Sequence, residues 1–145
     1  MRLIEQHRAA GRATYIVSAS PIELVEPLAK ALGMTAGIGT RSEIVDGRYT
    51  GQLVGPFCYG DGKVTAITEL AGWEGFDLDK CYAYSDSASD LPMMSAVGHP
   101  VAVNPDGALE RHGQQALQGQ ALRQERNARR EDAARAQMSQ ERRVQ

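Results

Sequence analysis

Two short, largely apolar runs, each followed at once by a polar turn and a helix start, constrain this chain more than any other feature. Thr14-Tyr15-Ile16-Val17 leads into Ser18-Ala19-Ser20-Pro21, and Cys81-Tyr82-Ala83-Tyr84 leads into Ser85-Asp86-Ser87-Ala88-Ser89-Asp90. Runs without polar alternation suit strands buried on both faces, as in a parallel sheet. Parallel strands need crossover connections, and helical patterns flank both runs. Leu3, Ile4 and His7 sit at helical spacing ahead of Gly11. After the first run, Ser20 is placed to cap a helix, with Pro21 at its first position and Glu23 in its first turn. Leu24, Val25, Leu28, Ala31 and Leu32 form its apolar stripe, and Gly33 stops it. A short helix through Met93-Met94 follows the second run. The fold class is α/β.

The remaining elements fit that frame. Ser42 to Val54 alternates around Asp46-Gly47, a favoured hairpin turn. Gly60-Asp61-Gly62 precedes a helix carrying Val64, Ile67, Leu70 and Ala71. Pro100-Val101-Ala102-Val103 reads as a third strand, and Asp106-Gly107-Ala108-Leu109 starts another helix. Near Gly113 the composition changes. Residues 114–145 hold seven Arg against four Asp+Glu and no aromatics, whereas the preceding body is acidic. We expect a core over 1–112 and a basic Gln/Arg/Ala-rich tail over 113–145, helical or disordered. No apolar run approaches the ~20 residues of a membrane-spanning helix, and Met1 leads into no signal-peptide pattern. Cys58 and Cys81 form neither a disulfide framework nor a CxxC pair. The expected setting is reduced and cytoplasmic.

Ligands in open α/β sheets bind at the carboxyl ends of strands. Ser18 lies at one such end, and Asp86 with Asp90 at another. Lys63 opens a helix between them in sequence. A hydroxyl, a cation and two carboxylates suit a phosphoryl group held with a divalent ion. Magnesium takes one or two carboxylates plus phosphate oxygens, while the ammonium and hydroxyl neutralise developing charge.

In that order, "TYIVSASP", "YGDGKVTAITEL" and "CYAYSDSASDLPMM" resemble motifs two, three and four of the haloacid dehalogenase (HAD) superfamily. The resemblance runs over residues 1 to 112 and is nearest to its IB subfamily of phosphoserine-phosphatase-like hydrolases. "GTRSEIVDGRYTG" and "VGHPVAVNPD" are similar to that subfamily as well. It implies a Rossmannoid parallel sheet flanked by helices, with a small β-hairpin. It implies a magnesium-dependent phosphatase acting on a small phosphorylated metabolite. On this resemblance Ser18 hydrogen-bonds the transferring phosphoryl group, and Lys63 steadies phosphoryl and nucleophile. Asp86 binds Mg2+, and Asp90 binds it directly or through water.

The family's nucleophile is the first of two aspartates, one residue apart, at the end of an N-terminal strand; the second acts as acid and base. No such strand precedes Ser18 in these residues, and most of the cap is missing too. Asp77-Leu78-Asp79 has the spacing but follows Trp73-Glu74-Gly75-Phe76, so it reads as loop acids. The resemblance places the absent strand at the sheet centre, between those of motifs two and four. Either motif four pairs directly with motif two, or another chain fills the gap; the exposed edges also offer a route to self-association. The expectation is a truncated phosphatase, weakly active or inactive alone. The alternative is a non-catalytic phosphate- or magnesium-binding remnant, or a fragment that assembles with another chain.

Other motifs are set aside. A Walker loop needs Gly where Phe57 stands and Ser or Thr where Val64 stands. His7, His99 and His112 lack metal-ligand spacing. The tail arginines alternate with acids, which favours a solvated segment over a specific nucleic-acid site.

Overall fold

The computed structural model describes residues 2–111. The expected tail, 113–145, lies outside the described residues, as does His112. The order begins with helix α1 (Arg2–Ala9), strand β1 (Tyr15–Pro21), helix α2 (Ile22–Ala31) and strand β2 (Ala36–Thr40). A hairpin of β3 (Ser42–Val45) and β4 (Arg48–Leu53) follows, then helix α3 (Asp61–Glu74). Strand β5 (Tyr82–Ser85), helix α4 (Leu91–Ser95) and strand β6 (His99–Ala102) complete the α/β order, ahead of a helical turn at 107–111.

β1 pairs with β2 in parallel, and β5 pairs with β6 in parallel. The two pairs are separate sheets: motif four does not bond to motif two. Among the described residues, each of β1 and β5 therefore has one strand neighbour and one open edge. Both contribute to one core, because Val17 of β1 packs on the cluster that contains Ala83 of β5. That cluster is the main core: Ile67, Ala83, Met93, Met94, Val97 and Leu109. Met93 and Met94 are core residues, as their place beside Leu91 predicts.

Three local details depart from the sequence reading. β1 does not stop at Ser18 but continues to Pro21, with irregular register between Val17 and Pro21. Such irregularities leave backbone groups at a strand end unpaired and re-aim side chains. Second, α2 starts at Ile22 with no side-chain cap, so Ser20 is not its cap. Ser20 N instead donates to Ser18 Oγ at 3.1 Å. Third, β2 is a strand that the sequence hides. Its Ala-Gly-Ile-Gly-Thr stretch has low strand propensity. A Cβ on Gly37 would lie 2.8 Å from the Val25 carbonyl, and one on Gly39 2.7 Å from the Ser20 carbonyl. The glycines let β2 press against α2 and the end of β1. In the hairpin, Asp46 and Gly47 both take positive φ, the geometry of the two-residue turn that their identity predicts.

Candidate functional site

α3 turns Lys63, Ile67 and Ala71 toward the interior at four-residue spacing. Two of these are hydrocarbon. The third is an ammonium, and burying it demands a counter-charge with good hydrogen bonds. Asp90 meets that demand: Lys63 Nζ donates to Asp90 Oδ1 at 2.6 Å, and each residue is 8% exposed. Ser85 Oγ donates to Asp90 Oδ2 at 2.7 Å. Ser85 Oγ in turn accepts from Ser87 N at 3.2 Å, tying the end of β5 to the loop after it. The loop entering α3 is equally constrained, since a Cβ on Gly62 would overlap the Phe57 carbonyl.

Asp86 stands apart from this network. It is exposed, and its carboxylate has no hydrogen-bond or ion-pair partner among the described residues. Its backbone is fixed instead, because Asp106 N donates to the Asp86 carbonyl at 2.8 Å. The Asp106 carboxylate accepts from Leu109 N at 2.7 Å, Ala108 N at 3.1 Å and Ala88 N at 3.2 Å. The Leu109 N–H, then the Ala88 N–H, hold its carboxyl below the usual carboxylate range; slight burial opposes them, and Ala108 N–H and the Arg111 charge assist.

Ser18 is half-buried at the irregular end of β1. Nearby in sequence to the start of α3, Cys58 is 3% exposed. Burial pushes the Cys58 thiol up; the Lys63 ammonium and the Ser18 backbone N–H pull it back, and Asp90 adds to the rise. Thr40 braces the same corner, since its buried hydroxyl donates to Ala19 O at 2.8 Å and accepts from Cys58 N at 3.3 Å. Lys63 and Asp90 are therefore brought together, with Asp86 on the same loop as Asp90; Ser18 lies on the other strand, β1.

The donor set can be tested against magnesium. Among the described residues no three His, Cys, Asp or Glu side chains gather into a metal cage. Magnesium does not require one; it keeps water and takes one or two carboxylates with substrate phosphate. The uncommitted Asp86 carboxylate fits such a ligand, and each Asp90 oxygen retains a lone pair after its one bond. The fit is an open one, led by Asp86.

The groups set aside in the sequence have other partners. Asp77 caps the turn Leu78–Lys80 by accepting from Asp79 N, and pairs with Lys80 at 3.1 Å. His7 Nε2 bonds Tyr84 Oη at 2.7 Å, and His99 stacks on Tyr82 at 4.5 Å between ring centroids. Four residues of the site escaped the sequence reading: Thr40, Cys58, Ser85 and Asp106. Only Asp106 carried a signal, as the acid opening the last helical pattern. Among the described residues no helix is long and apolar enough to cross a membrane.

Comparison with known proteins agrees with this architecture. Residues 1–95 match the family described as haloacid dehalogenase-like hydrolase. A Mycobacterium tuberculosis protein named "Probable phosphatase Rv3661" is 53% identical over 109 residues, covering 75% of this chain and 38% of that protein. Phosphoserine phosphatase SerB1 of the same organism is 47% identical over 107 residues, covering 74% of this chain and 35% of its own length. This chain thus spans little more than a third of these curated relatives. A solved structure of a Bordetella pertussis protein of unknown function superposes with a TM-score of 0.73 at 34% identity, over 79% of this chain and 52% of that one. The motifs, the fold and the family match agree: the chain belongs to the haloacid dehalogenase-like hydrolases.

Proposed function

We propose that this chain carries the phosphate- and magnesium-binding part of a phosphomonoester hydrolase site. The observation behind this reading is the buried Lys63–Asp90 pair, with the uncommitted Asp86 carboxylate on the same loop as Asp90. In this reading Lys63, held by Asp90, presents a fixed positive charge to a phosphoryl oxygen. Ser18, at the end of β1, donates a hydroxyl hydrogen bond to another. Preorganised donors of this kind stabilise charge as it develops without reorganising. Asp86 would hold magnesium, with Asp90 as its partner, directly or through water. When bound, the metal would neutralise phosphate charge and orient the group.

The nucleophile is not among these residues. Two aspartates one residue apart, on a strand seated between the open edges of β1 and β5, would supply attack and proton transfer. The same edges are the proposed route of self-association, in the cytosol as the working compartment. The substrate is a small phosphorylated metabolite. One relative is named a phosphoserine phosphatase. Against phosphoserine itself stand Ser18-Ala19-Ser20, where that subfamily's namesake continues Ser-Gly-Gly, and "SDSASD", where it carries Gly-Asp-Gly. A second reading, a binding remnant without turnover, draws on the donor set, since no third ligand group gathers with Asp86 and Asp90 among the described residues.

Calorimetric titration of inorganic phosphate with and without Mg2+ tests the proposal, alongside a p-nitrophenyl phosphate assay. We expect magnesium-dependent phosphate binding and no phosphate release above background from this chain. Robust magnesium-dependent release, abolished by Asp86→Ala, would show that the nucleophile lies within these residues. Phosphate binding indifferent to Mg2+ would remove the metal from the account.

A further inference from the structure

We propose that Asp106 is a positioning residue for the cation ligand Asp86, acting by clamping the loop after β5 to the start of the last helical turn. This rests on the reading of Asp86 as a metal ligand. The clamp has two jaws. The Asp106 main-chain N–H holds the Asp86 carbonyl at 2.8 Å. The Asp106 carboxylate reaches Ala88 N, two residues further along the same loop, at 3.2 Å. The loop is thus pinned on both sides of Ser87, while the Asp86 side chain is left uncommitted.

The other end of the clamp is anchored in the core. Asp106 Oδ1 accepts from Ala108 N and Leu109 N, and Leu109 is the largest fully buried side chain among the described residues. Val103 N also donates to Ser85 O at 2.9 Å, so the approach to Asp106 runs alongside the end of β5. Asp90 needs no such help, being held by Lys63 and Ser85. Asp86, without a side-chain partner among the described residues, depends on its backbone for aim. Groups that orient a metal ligand typically matter about 10–100-fold in affinity.

Helix capping alone would also explain two of these bonds, and a serine separates the roles. Asp106→Ser keeps a capping hydroxyl for Ala108 N and Leu109 N but is too short to reach Ala88 N. The test measures Mg2+ binding by calorimetry, thermal unfolding, and amide exchange at Ala88, for wild type, Asp106→Ser, Asp106→Asn and Asp86→Ala. We expect Asp106→Ser to unfold within a few degrees of wild type, to exchange Ala88 faster, and to bind Mg2+ about tenfold more weakly. Asp106→Asn has one acceptor oxygen where the clamp uses two, so keeping the cap turns its NH2 toward Ala88 N, and it should bind Mg2+ no better than Asp106→Ser. Wild-type Mg2+ affinity in Asp106→Ser, with binding lost in Asp86→Ala, overturns the clamp and leaves the site reading intact. Mg2+ binding that survives Asp86→Ala unchanged overturns the site reading, and the clamp falls with it.

Discussion

Among the described residues β1 and β5 are both parallel-paired strands with one open edge, yet they fix their site groups by opposite means. On the β5 side, charge does the fixing. A buried ion pair, a serine on its second oxygen and an aspartate clamp all converge on one loop. The main apolar cluster lies directly beneath it. On the β1 side no ion pair forms among the described residues. Ser18 is set by an irregular strand end, by glycines that allow β2 to approach, and by the neutral hydroxyl of Thr40. Its helix α2 buries only Val25 and Ala29 and leaves Leu24 and Leu28 exposed. Groups that must carry charge in a dry setting need a deep core and full pairing. A neutral hydroxyl needs only backbone shape.

If that contrast holds, the two sides respond differently to mutation. The largest effect belongs to the ion pair. Asp90→Ala strands the Lys63 ammonium and should cost about 3–5 kcal/mol in urea unfolding. Lys63→Met with Asp90→Leu should recover most of that stability while abolishing phosphate binding. A cost near zero for Asp90→Ala would mean that Lys63 reaches water. Next comes the close approach of β2. Gly39→Ala must displace the Ser20 carbonyl and should cost about 1–3 kcal/mol, read by thermal unfolding. Thr40→Val should follow, leaving Ala19 O and Cys58 N without their partner for about 1–3 kcal/mol. An unchanged melting temperature there would remove the hydroxyl from the brace.

The smallest effect is a pH dependence. The folded-state value of Asp106 is depressed. Its contribution is therefore present above the unfolded value and lost as pH falls through the folded one. Wild type should lose more stability than Asp106→Asn as pH drops below the ordinary carboxylate value of 3.8. Parallel acid limbs in acid titrations followed by circular dichroism would contradict this.

Much of the frame is legible because apolar runs, a two-residue turn and a four-residue helical stripe are local signals. β1, β5, the hairpin and α3 follow from them, and so do Ser18, Lys63, Asp86 and Asp90 as candidates. β2 is not legible, because its glycines serve an approach by α2 that no window of sequence displays. Ser20 misleads for a related reason: a cap signal at a strand end was overridden by the pairing of Pro21 with Thr40. Cys58 and Thr40 gain their places only when β2 and the loop before α3 are brought to the end of β1.

Convergence is the claim on which the account turns, and backbone amide shifts in solution test it most directly. Titrating the chain with inorganic phosphate at saturating Mg2+ should perturb Ser18, the 58–63 segment and the 86–90 loop together, along one saturation curve. Movement of one segment alone, or separate curves for the β1 and β5 sides, would contradict it.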